Sequence, residues 1–111
     1  MLSIKEIDKQ TQTKQTQLDS EKKLTDQENE KAEQYRNENE AGLVGTHSNA
    51  ASTHQANADR IQDQIDDLNR QREQAEARKG ELENQIKEIQ RKRDEEINLI
   101  KDEINRLTGT Y

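Results

Sequence analysis

The sequence predicts an all-α protein of long coiled-coil helices with broken heptads, and three observations support this prediction. Good helix formers, chiefly Glu, Gln, Lys, Arg, Ala and Leu, dominate the 111 residues, and there is no proline. Apolar residues recur at alternating spacings of three and four, which is typical of one helix face. Hydrophobic residues make up only 26% of the chain, so a self-contained globular core is not expected. We therefore expect two helices joined by a glycine-containing hinge or hairpin loop, and oligomerisation to cover their apolar faces.

The first helix is predicted over residues 3–40, because its start carries a strong local signal. Ser3 can accept a hydrogen bond from the backbone at Glu6, whose side chain can bond back to Ser3 and complete a capping box. Leu2 and Ile7 flank this cap at the spacing of a hydrophobic staple. The sequence thus predicts where this helix begins.

The seam of the first helix is apolar at its ends and polar in its middle, so this helix is expected to need a partner. In heptad order its a and d positions are Ile4, Ile7, Thr11, Lys14, Leu18, Glu21, Thr25, Glu28, Ala32, Tyr35 and Asn39.

A boundary is predicted at residues 41–45, where charged residues disappear and two glycines occur three positions apart. Glycine weakens a helix and permits left-handed backbone, and the heptad phase also changes here. The stretch is therefore expected to form a hinge or a tight loop, with its uncharged hydrophobic pair open to a partner surface. The hinge and docking candidates are Gly42, Leu43, Val44, Gly45 and the terminal Tyr111.

The second helix is predicted over residues 46–108. A seven-residue repeat relates 46–52 to 53–59, which favours helix over a loop rich in Ser, Thr and Asn. The heptads slip by four residues near 93–97, a stutter that locally unwinds a left-handed supercoil. Gly109 is expected to end the helix.

The strongest apolar seam positions of both helices are expected to be covered in an oligomer. They are Ile4, Ile7, Leu18, Ile61, Ile65, Leu68, Leu82, Ile86, Ile89, Ile97, Ile100, Ile104 and Leu107. Arg72 and Lys79 also fall on this seam, where charge weakens a core but can fix the register.

Two geometries fit this seam. Isoleucine at both a and d favours a parallel trimer over a dimer, and Glu96 would attract Lys101 of a neighbouring parallel chain. Alternatively, the chain reverses at the two glycines, and the first helix packs back on the second as a helical hairpin. The sequence leaves both open.

His47 and His54 lie seven residues apart on the d stripe. In a parallel trimer each would form a ring of three imidazoles that could hold a transition metal. The more ordinary interpretation is two polar residues in a weak seam. No metal site and no cofactor are therefore predicted, with these histidines as the candidates if one exists.

Enzymatic activity is not expected, since no phosphate-binding or nucleophile motif occurs and the carboxylates lie on helix faces that stay solvated. The net charge of −6 argues against nucleic acid as a partner. No apolar run suits a signal peptide or a membrane span, and there is no cysteine. Synthesis in a cytosol is the expectation.

The Gln- and Asn-rich broken heptads without Pro or Cys resemble short virion fibre, whisker and head–tail spacer proteins of phages. The resemblance covers most of the chain and contains no diagnostic motif. It implies a structural coiled-coil subunit of a virion that spaces or anchors other components. The alternative is a scaffolding factor or helical adaptor that binds another protein transiently.

Overall fold

A computed structural model of the chain describes residues 2–109, which form two α-helices and no strand. Helix α1 spans Ile4–Asn37 and helix α2 spans Ala41–Thr108. The predicted all-α class is therefore confirmed for the described residues. The chain divides into two compact units, the first ending at Ala75 and the second beginning at Glu76.

Helix α1 begins with the capping box that the sequence predicts. The Ser3 hydroxyl accepts a hydrogen bond from the Glu6 backbone N–H at 3.1 Å, and the Ser3 backbone N–H donates to the Glu6 carboxylate at 3.4 Å. Leu2 packs against the cluster that contains Ile7, as expected for a hydrophobic staple. Two backbone donors at the helix start thus have partners.

The chain reverses at Glu38–Glu40 through a Schellman motif. The Glu40 backbone N–H donates to the Tyr35 carbonyl at 2.8 Å, and the Asn39 N–H donates to the Arg36 carbonyl at 3.1 Å. Asn39 takes the left-handed conformation, with φ of 61°. Asparagine tolerates this region better than other residues with a side chain, so no glycine is needed.

This placement differs from the predicted loop at 41–45. Ala41 begins α2, and the Val44 backbone N–H already donates to the Glu40 carbonyl at 3.0 Å. Gly42 and Gly45 therefore lie inside the first turns of α2, and neither has a positive φ. The first helix consequently ends at Asn37 and not at residue 40, and the second begins at Ala41 and not at residue 46.

The first unit is a helical hairpin in which α1 packs antiparallel to α2. Near its open end, Ile7 packs with Leu68 and Ala75. Further along, Leu18 packs with Ala58 and Ile65. Rising numbers in α1 thus meet falling numbers in α2, which selects the hairpin alternative for this unit.

Small and threonine side chains fill the rest of this interface. Ala32 and Ala51 are buried, and residues of this size let two helices approach closely. Thr25 is also buried, and its hydroxyl donates to the Glu21 carbonyl of the preceding turn at 2.9 Å. Within the described range, no buried side-chain nitrogen or oxygen lacks a hydrogen-bond partner. The polar middle of the first seam is therefore compatible with packing.

The second unit contains the C-terminal part of α2, which ends at Thr108. Gly109 follows with a φ of 71°, so the predicted helix end is confirmed. Gly80 lies within the helix, and a Cβ built there meets nothing within 4 Å. Side-chain ion pairs on the helix surface, such as Lys79 with Glu83, stay within the helix.

Candidate interaction surfaces

The thirteen predicted seam residues fall into two groups of different exposure. In the first unit, Ile7, Leu18, Ile65 and Leu68 are buried, and Ile4 and Ile61 pack partly buried against them. The chain thus covers this group by itself. The other predicted residues lie in the second unit and are exposed; they are Leu82, Ile86, Ile89, Ile97, Ile100, Ile104 and Leu107.

Two histidine–glutamate pairs cross the hairpin interface one heptad apart. His47 Nδ1 lies 2.5 Å from the Glu28 carboxylate, and His54 Nδ1 lies 2.7 Å from the Glu21 carboxylate. A carboxylate can only accept, so the imidazole N–H donates in both pairs. All four side chains are partly buried, which leaves these hydrogen bonds less exposed to competition from water than surface pairs.

The pair nearest the turn has two further contacts. The Tyr35 ring stacks on the His47 imidazole with centroids 5.3 Å apart and an interplanar angle of 7°. The hydrogen bond from His47 lowers the pKa of the Glu28 carboxyl below its ordinary value, and the Lys31 ammonium adds to this effect. The carboxylate form of Glu28 is therefore stabilised where α1 meets α2.

The histidines do not share a site with each other. Each has its own glutamate on α1, one heptad from the next. Among residues 2–109 no group of three or more His, Cys, Asp or Glu side chains is arranged to hold a metal ion. In the hairpin each histidine is paired with a glutamate of the other helix, in place of the three-histidine rings expected for a parallel trimer.

Sequence reasoning placed all four residues on the seam but did not pair them. The missing signal is the matched spacing: Glu21 and Glu28 are seven residues apart, as are His47 and His54. Antiparallel helices in a fixed register bring such equally spaced sets level with each other. Asp8 and Arg72 are a further pair across the hairpin, with Oδ1 and Nε 2.8 Å apart on its exposed side.

The seven exposed seam residues of the second unit form one continuous face, called here the C-terminal stripe. Its members recur at spacings of three and four from Leu82 to Leu107, and Arg93 occupies the position between Ile89 and Ile97. Their exposed fractions range from 41% at Ile97 to 81% at Leu107. A stripe of this length covers about 39 Å of helix at about 1.5 Å per residue.

Near the middle of the C-terminal stripe, a group of basic residues precedes a group of acidic residues in the sequence. The basic run Arg91–Arg93 is followed directly by the acidic run Asp94–Glu96. Arg91 is engaged within its own helix by Glu88 and Glu95, and the hydrogen bond to Glu88 is the main reason its pKa is raised. Glu96 lies four residues before Ile100, and Arg93 lies four before Ile97. Each charged side chain is therefore a neighbour of an apolar residue of the stripe on the helix surface.

The remaining docking candidates differ among themselves. Leu43 is exposed, and Val44 is partly covered at the start of α2. Gly42 and Gly45 are helical, so they act as neither hinge nor loop. Tyr111 lies outside the described residues.

No protein-family model, no curated protein and no solved structure matches the chain. Across residues 2–109, neither helix has a segment that combines the length and apolar character needed to cross a lipid bilayer.

Proposed function

We propose that the chain is a non-enzymatic structural subunit that associates with other helices, in the first place those of other copies, through the C-terminal stripe. The resemblance to phage fibre and spacer proteins suggests a virion as the larger assembly. In this proposal the hairpin is a preformed unit, and the second unit supplies the association surface. The chain would then space or anchor the components that it joins.

The observation that carries this proposal is the contrast in exposure between the two units. Apolar seam residues up to Leu68 are covered within the chain, whereas Ile86 and Ile89 are more than half exposed. Monomeric soluble proteins rarely expose a contiguous apolar patch larger than a few hundred Å². Burying one Leu or Ile side chain contributes about 1.5–3 kcal/mol, so covering seven of them would strongly favour association.

The alternative is a scaffolding factor or adaptor that binds transiently. It is supported by Arg93, which interrupts the stripe between Ile89 and Ile97 and must be paired or solvated in any complex. The stutter at this position adds a local departure from regular packing. Both features limit how tightly the stripe can be covered.

Molar mass measured by light scattering across a wide concentration range tests the proposal. The chain has a mass of 12.9 kDa, and we expect a multiple of this value that persists on dilution for a structural subunit. Dissociation in the micromolar range would favour the transient alternative. A helical monomer at every concentration would overturn the proposal.

A matched pair of variants links the mass to the stripe. Ile86→Lys with Ile100→Lys places two charges on the apolar face and should convert the protein to a monomer. Leu99→Lys with Asn84→Lys introduces the same two charges at exposed residues that lie off the stripe, so the oligomer should persist. Equal loss of mass in both variants would show that a different surface mediates association.

A further inference from the structure

We infer that the partner of the C-terminal stripe is a second copy of the same stripe in antiparallel orientation, with Lys92 and Arg93 of each copy beside Glu96 of the other. This inference rests on the proposed self-association and adds the orientation and the register. It also replaces the parallel trimer that the isoleucine pattern alone favours.

The apolar positions of the stripe read nearly the same in both directions. When Leu82 is level with Leu107 of a second antiparallel copy, Ile89 is level with Ile100 of that copy. In the same register Ile86 falls within one residue of Ile104 of the second copy. A twofold interface requires this self-complementarity, because each contact from one residue to another occurs twice.

The charged residues at the stripe itself meet residues of opposite charge. In this register Arg93 is level with Glu96 of the second copy, and Lys92 lies one residue away from that level. Lys92 and Glu96 are four residues apart, so they lie on the same flank of the helix face. In an antiparallel pair like flanks meet, so each Glu96 carboxylate would lie beside two cationic side chains of the other copy.

A parallel, in-register bundle treats Arg93 differently. Each Arg93 would face its own equivalents across the seam, where like charges repel. The attraction of Glu96 for Lys101 between parallel chains would remain, but it lies at the flank and is exposed to solvent. The antiparallel register converts the contact of Arg93, the one charged residue within the C-terminal stripe, from a repulsive one into an attractive one.

Disulfide trapping tests the orientation directly, because the chain has no cysteine of its own. Full-length Leu82→Cys and Leu107→Cys chains are mixed, oxidised and mapped by mass spectrometry. We expect disulfides between positions 82 and 107, and none between two copies of position 82, which would lie about 38 Å apart. Asn84→Cys, on the opposite side of the helix from the stripe, serves as the background control.

Two other outcomes of the disulfide experiment distinguish failure of the antiparallel register from failure of self-association itself. Disulfides that join like positions would overturn the antiparallel register while leaving self-association intact. Cross-linking no greater than that of Asn84→Cys would overturn both the register and the proposed association.

A charge-exchange experiment tests the register independently. Two variants are compared: the single variant Glu96→Lys and the double variant Lys92→Glu with Arg93→Glu. Each should by itself weaken self-association by roughly tenfold or more, since like charges then meet wherever position 96 of one copy lies beside positions 92 and 93 of the other. An equal mixture of the two variants should restore association, because both central contacts of the mixed dimer are then oppositely charged. Circular dichroism shows whether each variant remains helical.

Failure of the mixture to associate better than either variant alone would overturn the register. In a parallel bundle the mixture would also bring Arg93 of one variant opposite the glutamate introduced at position 93 of the other, so restoration supports the charge contacts and the disulfide experiment decides the orientation.

Discussion

At the scale of single residues, burial and not residue type decides what each apolar side chain contributes. Leu18 and Leu24 lie on the same helix, but Leu18 is 2% exposed and Leu24 is 38% exposed. Leu18 packs against Ala58 and Ile65, so its removal leaves a cavity that the small neighbouring alanine cannot fill.

We expect Leu18→Ala to lower the free energy of unfolding by about 2–5 kcal/mol, because it removes both burial and packing. Leu24→Ala serves as the matched control, since it makes the same change in helix propensity at a surface position. Its cost should be about 1 kcal/mol or less. Urea denaturation followed by circular dichroism measures both values, and equal losses would argue against the hairpin packing of α1.

The Glu28–His47 pair predicts a specific dependence of stability on pH. The pKa of the Glu28 carboxyl is lowered in the folded chain, chiefly by the hydrogen bond from His47. A carboxyl of this kind contributes stability that is complete above its unfolded pKa, about 4.3, and that is lost as the pH falls through the folded value.

Glu28→Gln should therefore reduce the loss of stability on acidification from about pH 5.5 to about pH 3. Glu30→Gln removes an exposed carboxyl of the same helix and should leave the acid dependence nearly unchanged. Thermal unfolding at a series of pH values measures the difference. An unchanged acid dependence in Glu28→Gln would mean that the pair with His47 does not persist in solution.

At the scale of elements, the sequence predicts more about helix ends than about the reversal between helices. The Ser3–Glu6 cap and Gly109 follow from local chemistry, and both are found where they were expected. The reversal was assigned to the glycines at 42 and 45, because glycine adopts positive φ most readily. Asn39 takes that role instead, and asparagine gives a weaker sequence signal for it.

Substitutions at the two places should have opposite signs. Asn39→Ala puts a less tolerant side chain in left-handed backbone and should cost about 1–2 kcal/mol. Gly45→Ala replaces a helical glycine whose Cβ would meet nothing within 4 Å, and it should stabilise the protein by about 0.5–1 kcal/mol. Chemical denaturation of both variants measures these changes, and the reverse signs would place the reversal at residues 41–45.

The sequence could not decide between the hairpin and the parallel trimer, and the reason is physical. A heptad seam records which residues are covered, not which helix covers them. Ile7 and Leu68 would occupy the same seam positions against a neighbouring chain as they do against each other. Glu21 and Glu28 have the same seven-residue spacing as His47 and His54, which favours the hairpin. This spacing predicts hydrogen-bonded pairs only after the two helices have been placed antiparallel.

At the scale of the whole molecule, the two units differ in how far their apolar seam residues are covered. The hairpin covers its seam with small and aliphatic side chains of the same chain, such as Ala58 against Leu18. In the second unit the C-terminal stripe remains exposed, with Arg93 near its middle. An isolated helix of this kind gains little stability in water from its backbone hydrogen bonds alone, so it depends on what covers it.

Amide hydrogen exchange, followed by mass spectrometry at a low and a high protein concentration, tests this division most directly. If the hairpin forms within each chain and the stripe is covered by a second copy, protection over residues 4–37 will be the same at both concentrations. Protection over residues 82–107 will rise with concentration. Equal dependence on concentration in both segments, or none in the second, would contradict the account.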